Sequence, residues 1–231
     1  MPRPALSIIM PALNEAAGEE ARISAALTAL GPLVARGAQL IVADGGSTDG
    51  SDKLAGAAGA TVVYAQRGRA TQMNAGAKQA GGNVLLFLHA DTLLPADADQ
   101  HIVQALASGQ AVWGRFDVCI AGQSPMLRVV AAFMNLRSRY SGIATGDQAL
   151  FMNRAAFDAV GGFPDQPLME DVEISKRLRR LSRPAGLHAK VTTSGRRWEA
   201  NGVWHTIVLM WRLRFAYWRG AAPERLAQLY R

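Results

Sequence analysis

The stretch Gln39-Leu-Ile-Val-Ala-Asp-Gly-Gly-Ser-Thr-Asp-Gly-Ser51 contains a strand, a turn and a helix start, and the predicted fold is built outward from it. Gln39 to Ala43 carries an apolar run without alternation, which is typical of a strand covered on both faces. The glycine-rich turn after Asp44 ends this strand, and a helix is predicted from about Ser51 to Ala58.

The rest of the first half repeats this order. Further strands are predicted at Leu6 to Met10, Thr61 to Tyr64 and Val84 to Leu88, with helices at Ala16 to Leu30 and Ala70 to Ala80. Asn14 is the expected N-cap of the first helix. Strands that alternate with helices predict an α/β fold with a mostly parallel central sheet flanked by helices. In such sheets, ligands bind beyond the carboxyl ends of the strands.

The second half is predicted to mix strand directions. Val112 to Ile120 alternates in polarity, which indicates an antiparallel or edge strand. Cys119 in this strand is expected to be buried. It is the one cysteine of the chain, so an intramolecular disulfide is excluded and a reducing, cytoplasmic compartment is favoured. The other predicted elements are a helix at Ser124 to Tyr140, a strand at Gln148 to Met152 and a helix at Leu168 to Leu181.

Basic residues concentrate near the end of the sequence. Residues 176–231 hold thirteen of the 25 Lys and Arg residues but two of the 18 Asp and Glu residues. Such a tail is typical of proteins that bind nucleic acid or an anionic membrane surface. The length fits one domain, residues 1–200, followed by a helical tail, residues 201–231.

The tail segment from Gly202 to Gly220 combines tryptophans with basic residues. At about 100° per residue, His205, Arg212 and Arg219 share one stripe of a predicted helix. This helix either belongs to the core, with arginines reaching out to solvent, or lies in a membrane interface. Its apolar runs are shorter than the roughly 20 residues of a membrane span, and the residues around Leu6 predict no secretory leader.

Polar side chains follow three predicted strands. They are Asn14 and Glu15 after the first strand, Asp44 after the second, and His89 and Asp91 after the fourth. Because parallel strands end at one edge of a sheet, these groups are expected to converge there. By itself Asp91 suits a turn, but within this set its carboxylate is a candidate ligand for Mg²⁺ or Mn²⁺.

Three other motifs have both structural and functional explanations. The turn from Gly45 to Gly50 resembles a phosphate-binding loop but lacks the P-loop ending and the dinucleotide fingerprint, which counts against an NTPase or NAD site. Glu170-Asp171 either stabilises a helix start or supplies a general base. Arg196-Arg197-Trp198 is either a solvated patch or a diphosphate contact, since a guanidinium binds two oxygens at once.

Taken together, six motifs carry a family resemblance. They are Ser7-Ile-Ile-Met-Pro-Ala-Leu-Asn-Glu15, Val42-Ala-Asp-Gly-Gly-Ser-Thr-Asp-Gly-Ser51, Gly68-Arg-Ala-Thr-Gln-Met-Asn-Ala-Gly76, Phe87-Leu-His-Ala-Asp-Thr92, Gly161-Gly-Phe163 and Glu170-Asp171. Each is weak alone, but in this order and spacing they make the sequence resemble glycosyltransferase family 2, whose catalytic domain has the GT-A fold. The resemblance extends from about Leu6 to Trp198.

The resemblance implies an enzyme that uses a UDP- or GDP-sugar and Mn²⁺ or Mg²⁺, and that inverts the anomeric carbon by direct displacement. Asp91 would bind the metal, Asp171 with Glu170 beside it would be the general base, and Asp44 would contact the nucleotide base. Donor contacts are implied for Pro11, Ala12, Asn14, Glu15, Gly45, Arg69, Asn74, His89 and Ala90. Contacts to the diphosphate or acceptor are implied for Asp147, Gln148, Arg196, Arg197 and Trp198.

The sequence departs from the family pattern in two places. His89-Ala90-Asp91 replaces the usual Asp-x-Asp, so the first-Asp contact to ribose has no direct equivalent. Only Arg196-Arg197-Trp198 remains of the Gln-x-x-Arg-Trp motif, so long-chain polysaccharide synthesis is not expected. Details such as Pro167 to Asp171 resemble a bacterial subgroup often labelled arsenosugar-biosynthesis glycosyltransferases, but no residue here indicates an arsenic-containing substrate.

Two rival functions fit less well. A nucleotidyltransferase normally carries a glycine-rich loop with Arg and Lys where this chain has Pro11 to Glu15. A non-catalytic module for anionic lipid or nucleic acid leaves the converging carboxylates unexplained, because these repel phosphate unless a metal intervenes. The expected partners are therefore a nucleotide-sugar, a small or lipid-linked acceptor and the inner face of an anionic membrane, without nucleic acid.

Overall fold

The computed structural model describes residues 5–16 and 22–230. Its strands are β1 (Leu6–Ala12), β2 (Gln39–Asp44), β3 (Thr61–Tyr64), β4 (Val84–Phe87), β5 (Thr92–Leu93), β6 (Trp113–Ala121), β7 (Leu150–Asn153) and β8 (Ala185–Ser194). The helices are α1 (Arg22–Ala35), α2 (Ser51–Ala57), α3 (Arg69–Gln79), α4 (Ala98–Ala107), α5 (Met126–Ser141), α6 (Arg154–Ala159), α7 (Glu170–Leu178), α8 (Arg196–Ala200), α9 (Val203–Trp218) and α10 (Pro223–Leu229), with a 3₁₀ turn at Gly146–Gln148. The described strands form one sheet in the order β3-β2-β1-β4-β7-β6-β8-β5.

The first half confirms the predicted α/β fold. β1 pairs in parallel with β2 and β4, and β2 pairs in parallel with β3. Ile8 of β1 packs in one cluster with Leu30 of α1, whereas the next residue, Ile9, packs in another cluster with Met73 of α3. Both faces of β1 are therefore covered, which explains why its apolar run does not alternate.

Strand β6 confirms the predicted antiparallel pairing, excludes the edge-strand alternative and corrects the prediction for Cys119. It lies inside the sheet, antiparallel to β7 as predicted but also parallel to β8, so it is not an edge strand. Cys119 is exposed, although burial was predicted. Phe116, Val118 and Ile120 belong to the core cluster. Because successive side chains of a strand point to opposite faces, Cys119 lies on the other face of the sheet.

The predicted N-cap role of Asn14 was wrong. Its backbone is left-handed, with φ 55°, and its Oδ1 atom accepts a hydrogen bond of 2.9 Å from the N–H of Thr48. Ala16 was predicted to begin the helix, but it lies outside any helix, and α1 is described from Arg22. Residues 17–21 of the predicted helix lie outside the described part. Ile23 is buried, as the helical spacing predicted.

Helix α9 packs on the domain through one side, whereas the rest of its surface, which carries the tryptophans, is exposed. Within this helix only Thr206 and Leu213 are buried. Trp204, Trp211 and Trp218 are 68%, 72% and 75% exposed. None of the described helices is long and apolar enough to cross a lipid bilayer.

The inner side of α9 packs close to the start of α7. Leu213 joins a buried cluster with Leu168 and Met169, which directly precede α7, and with Leu226 of α10. The hydroxyl of Tyr217 lies 3.1 Å from a carboxylate oxygen of Glu173 on α7, to which it donates a hydrogen bond. The tail therefore packs beside α7, the helix that carries the predicted general base.

Candidate active site

A cavity of about 930 Å³ opens near the carboxyl ends of β1 and β4. This volume is within the range of roughly 300–1,000 Å³ that is common for small-molecule sites. Helices α5 and α9 also contribute to its wall. The sequence-predicted residues that line it are Pro11, Ala12, Glu15, Arg69, His89, Ala90, Asp91, Asp147, Glu170, Asp171, Arg197 and Trp198.

Six other predicted residues are not part of the cavity wall: Asn14, Asp44, Gly45, Asn74, Gln148 and Arg196. Some of them hold nearby loops in place. Asn74 donates a hydrogen bond of 2.8 Å to the carbonyl of Phe163 and accepts one of 3.0 Å from its N–H. Gln148 is buried and donates to the hydroxyl of Ser138 at 3.0 Å. Arg196 is exposed to solvent.

Asp44 shapes the glycine-rich turn after β2. It is buried, and its Oδ2 atom accepts hydrogen bonds of 2.9 Å from the N–H groups of Gly46 and Ser47. Its Oδ1 atom accepts a further bond from the Ser47 hydroxyl. A side chain at Gly45 would crowd that of Gln72 at 3.0 Å. In the described structure the carboxylate of Asp44 therefore orders the turn next to the cavity.

The two carboxylates that begin α7 have different surroundings. Glu170 is buried, and its Oε1 atom lies 3.5 Å from Nη1 of Arg69. Asp171 is half-buried and accepts hydrogen bonds from the N–H groups of Gly146, at 2.9 Å, and Val172, at 2.7 Å. Desolvation and repulsion by Glu170 nevertheless raise the pKa of Asp171 to about 6. This carboxylate is ionised at neutral pH and basic enough to accept a proton.

His89 lies against the turn that supports Asp171. Its Nδ1 atom is 3.4 Å from Oδ1 of Asp147. Burial acts to raise the pKa of Asp147, but His89, with Arg69 and Arg137 farther away, holds this pKa below its ordinary value. A Cβ atom at Gly146 would overlap the imidazole ring of His89. A larger residue at this position would therefore force the ring or the turn to move.

Asp91 is exposed beyond the end of β4 and lines the cavity. Its Oδ1 atom accepts a hydrogen bond of 3.3 Å from the hydroxyl of Thr92. Across the described ranges, no group of three His, Cys, Asp or Glu side chains is placed to hold a metal ion. Mg²⁺ is commonly bound by one or two carboxylates together with water and substrate phosphates. The hard oxygen ligands of Asp91 thus fit a cation that is shared with a bound diphosphate.

The C-terminal helices complete one side of the cavity. The guanidinium of Arg197 lies 3.9 Å from the ring centroid of Tyr230 and donates a hydrogen bond of 3.0 Å to its carbonyl. Tyr230 lines the cavity together with Arg197 and Trp198. The basic motif after β8 is therefore part of the site and also anchors the end of the tail.

Sequence reasoning missed Gln72 and Arg137, which both line the cavity. Gln72 is buried and donates hydrogen bonds of 2.7 and 2.8 Å to the carbonyls of Ala12 and Ala43, thereby joining the ends of β1 and β2. Arg137 lies on α5 at helical spacing from Val130, another cavity residue. Arg137 continues a row of apolar residues on one face of the predicted helix. A cation at such a position could have identified it from the sequence.

Left-handed backbone at residues other than glycine occurs next to this site. In the described ranges, the non-glycine residues with positive φ are Asn14 (55°), Ala149 (46°) and Met169 (66°). They follow β1, follow the 3₁₀ turn and precede Glu170, respectively. Such conformations cost free energy and cluster at functional sites, so their placement here agrees with the position of the cavity.

The family comparison identifies the class of protein that has this fold and site. The model described as Glycosyl transferase family 2 matches residues 7–164. The chain therefore belongs to glycosyl transferase family 2. No curated protein sequence matches it at a significant level.

Solved structures confirm the predicted GT-A fold. A mannosyltransferase from Pyrobaculum calidifontis, PcManGT, in complex with GDP-Man and Mn²⁺ has a TM-score of 0.66 at 20% identity, over 99% of this chain and 69% of that chain. S. aureus TarS 1–349 has a TM-score of 0.64 at 17% identity, over 82% of this chain and 60% of that chain. Glucosyl-3-phosphoglycerate synthase from Mycobacterium tuberculosis, in complex with Mn²⁺, UDP and glucosyl-3-phosphoglycerate, has a TM-score of 0.60 at 20% identity, over 83% of this chain and 71% of that chain.

Proposed function

We propose that this chain is a metal-dependent, inverting glycosyltransferase that moves a sugar from a UDP- or GDP-sugar to an acceptor hydroxyl. The observation that carries the proposal is one cavity that holds both the exposed carboxylate of Asp91 and the raised-pKa carboxylate of Asp171. Membership of the family supports the class of reaction. Proteins of similar fold have been solved with UDP-GlcNAc, with UDP and Mn²⁺, and with GDP-Man and Mn²⁺, which supports the donor and metal classes.

In this proposal the donor lies along the carboxyl ends of β1 and β4. Pro11, Ala12 and Glu15 line the cavity there, beside the turn that Asp44 orders. Arg69 lines the same cavity, and its guanidinium is suited to the diphosphate because it can bind two oxygens at once. His89 is placed for a further donor contact.

Asp91 is the residue that would hold Mn²⁺ or Mg²⁺, with the donor diphosphate and water completing the ligand set. When bound, such an ion supplies positive charge that stabilises the departing diphosphate. Asp147 is not assigned as a second ligand, because its carboxylate lies beside His89 in the described structure. Asp147 is instead proposed to contact the acceptor.

Asp171 accepts the proton of the acceptor hydroxyl in the proposed reaction. The hydroxyl oxygen forms a bond to the anomeric carbon while the bond from that carbon to the diphosphate oxygen breaks. The nucleoside diphosphate leaves with the electron pair of that bond, and this single displacement inverts the anomeric carbon. Glu170 contributes indirectly, because its charge raises the pKa of Asp171.

Release of nucleoside diphosphate from a panel of UDP- and GDP-sugars tests this proposal. We expect release that depends on Mn²⁺ or Mg²⁺ and stops when EDTA is added. Failure to bind either nucleoside diphosphate in the presence of metal would contradict the proposal. Formation of pyrophosphate from a nucleoside triphosphate and a sugar phosphate would identify a nucleotidyltransferase instead. The incomplete motif at Arg196-Arg197-Trp198 supports transfer of single sugars rather than long-chain synthesis.

We also propose that the tail, residues 201–231, holds the catalytic domain, residues 1–200, against the inner face of an anionic membrane. An exposed apolar stripe on α9 supports this proposal. Its members recur at spacings of four and three residues, which places them on one helix face. They are Trp204, Val208, Trp211, Phe215 and Trp218.

Helix α5 exposes a second stripe with the same spacing, which consists of Val129, Phe133, Leu136 and Tyr140. Val129 and Phe133 of this stripe, and Trp204 and Trp211 of the stripe on α9, also line the cavity. His205 and Arg212 are exposed on α9, and Arg219, which directly follows this helix, is exposed as well. At the helical period these basic residues lie next to the tryptophans, an arrangement that suits anionic headgroups. A lipid-linked or amphipathic acceptor would reach the site from such a surface.

A further inference from the structure

Arg137 lines the cavity, and two nitrogen atoms of its side chain are unpaired among the described residues. Its Nε and Nη2 atoms are buried, and neither has a hydrogen-bond partner within the described part of the chain. The same holds for the Nε atom of Arg214 on α9, which also lines the cavity. Two helices thus each contribute an incompletely paired guanidinium to one cavity.

Two other arginines of this protein, in contrast, are paired with a carboxylate. Arg115 is fully buried, and although its Nε atom also lacks a hydrogen-bond partner in the described structure, its Nη1 atom donates a hydrogen bond to the carboxylate of Asp117. Arg139 of α5 donates to the same carboxylate at 2.6 Å. Burying a charge without such a partner costs folding free energy, so Arg137 is not explained by stability. An anionic ligand in the cavity would supply the missing partner.

The position of Arg137 favours the acceptor over the donor. Burial lowers the pKa of Arg137, whereas the carboxylates of Asp171 and Asp147 raise it, so these two acids are near but are not hydrogen-bonded to it. The donor positions proposed above lie on β1, α3 and the segment after β4. Arg137 and Arg214 instead belong to α5 and α9. An anion held there would lie on the α5 and α9 side of the cavity.

The residues of α5 and α9 that line the cavity beside these arginines are mostly apolar. Met126, Val130 and Met134 of α5 line the cavity together with Ile207 and Met210 of α9. A wall of this kind accommodates a hydrocarbon chain, whereas the guanidinium groups require a charged head. The combination is therefore selective for an amphipathic anion.

We infer that Arg137 and Arg214 bind the phosphate of an amphipathic acceptor whose apolar chain lies between α5 and α9. Two guanidiniums match the charge of a phosphate monoester, about −1.5 to −2 at neutral pH. The inference rests on the proposed transferase function and specifies the chemical class of its acceptor. The acceptor hydroxyl belongs to the same molecule and is presented to Asp171.

Calorimetric titration of the full chain with octyl phosphate, below its micelle concentration, tests the inference. Tetraethylene glycol monooctyl ether is the probe with the same chain but an uncharged head. We expect octyl phosphate to bind more tightly than the ether, and Arg137→Gln to weaken its binding at least about tenfold, as expected for one hydrogen bond between charged groups. Arg137→Lys keeps the charge and should retain part of the affinity.

Arg128→Gln is the matched control, because Arg128 is an exposed arginine of the same helix. It should leave octyl phosphate binding unchanged. Equal affinity of wild type and Arg137→Gln would overturn the inference, as would an equal loss in Arg128→Gln. If Arg137→Gln does not fold, Arg214→Gln carries the same test, again with Arg128→Gln as the exposed control.

Titration with UDP and GDP in the presence of Mn²⁺ separates this inference from the proposed function. Arg137→Gln should bind the nucleoside diphosphate as wild type does. A loss of that binding would assign Arg137 to the donor and overturn the inference, although the transferase would stand. If wild type binds neither nucleotide, the proposed function itself fails, whatever the result with octyl phosphate.

Discussion

The N–H of Gly146 donates a hydrogen bond of 2.9 Å to Oδ2 of Asp171 and so joins the 3₁₀ turn to the start of α7. This bond favours the ionised carboxylate and by itself would lower its pKa. Desolvation and the charge of Glu170 outweigh it, which raises the pKa of Asp171 to about 6. The same contact therefore orients the proposed base while its surroundings keep it basic.

The acid limb of the pH profile should report this pKa. A base works only when ionised, so kcat/KM should fall as the pH decreases through about 6, by roughly tenfold for each further pH unit. The initial rate of nucleoside diphosphate release, measured between about pH 5 and pH 8, checks this expectation. A rate that stays constant down to about pH 5 would contradict the assigned surroundings of Asp171.

Asp171→Asn should separate chemistry from binding. The amide cannot accept the proton, so kcat should fall at least about a hundredfold, the lower end of general-base catalysis. Binding of UDP or GDP with Mn²⁺ should persist. Glu170→Gln is the informative comparison, because it removes the charge that raises the pKa of Asp171. It should therefore shift the acid limb of the pH profile to lower pH. If only Glu170→Gln stops turnover, Glu170 is the base.

Gly146→Ala should impair the site by a steric effect, because the substitution removes no functional group. The added Cβ would overlap the ring of His89, so either this ring or the turn that supports Asp171 has to shift. We expect kcat/KM to fall at least about tenfold and the free energy of unfolding to decrease by about 1–3 kcal/mol, as for other overpacked positions. Gly56→Ala on α2 is the control, because a Cβ there meets nothing within 4 Å. Wild-type activity of Gly146→Ala would show that this close approach is unimportant.

Asp91→Asn should abolish turnover and weaken binding of UDP or GDP in the presence of Mn²⁺. The neutral amide lacks the charge that holds a divalent cation. Metal-dependent nucleotide affinity can be measured by calorimetry with and without EDTA. Near-wild-type turnover of Asp91→Asn, or full activity of the wild type in EDTA, would remove the metal from the mechanism.

The parallel half of the fold could be predicted because each of its strands is recognisable from its own residues. β1, β2 and β4 are short apolar runs that end at turn residues, and this pattern needs no knowledge of distant partners. β8 gave no such pattern. It includes Lys190 and exposed His188, and its pairing with β6 joins segments about 70 residues apart in the chain. Such non-local pairing cannot be derived from one sequence.

The candidate site was predictable to a similar degree. Asp91 follows a strand, where sequence position alone suggests a shared edge of the sheet, whereas the role of Glu170 and Asp171 came only from the family resemblance. The raised pKa of Asp171 depends on burial and on Glu170, which only the three-dimensional arrangement supplies. Arg137 lies inside a predicted helix, so nothing indicated which way its side chain points until α5 was placed against the cavity.

Membrane docking can be tested with vesicles. Wild type should co-sediment with vesicles that contain phosphatidylglycerol more than with neutral phosphatidylcholine vesicles, since each basic residue near an anionic surface contributes about 1 kcal/mol. Raised salt should release it, because the Debye length is only about 10 Å at 0.1 M ionic strength. The double substitution of Trp211→Ser and Trp218→Ser should weaken binding, since both side chains stand exposed on α9.

Tyr64→Ser is the matched control for these tryptophans. Tyr64 is an exposed aromatic residue on β3 and does not belong to the tail. Its substitution should therefore not affect co-sedimentation. Arg212→Gln should reduce the preference for anionic vesicles while leaving the apolar stripe intact. Equal and negligible binding of wild type to both kinds of vesicle at low salt would contradict the docking proposal. The exposed stripe would then need another partner, and the acceptor would more reasonably be sought among water-soluble molecules.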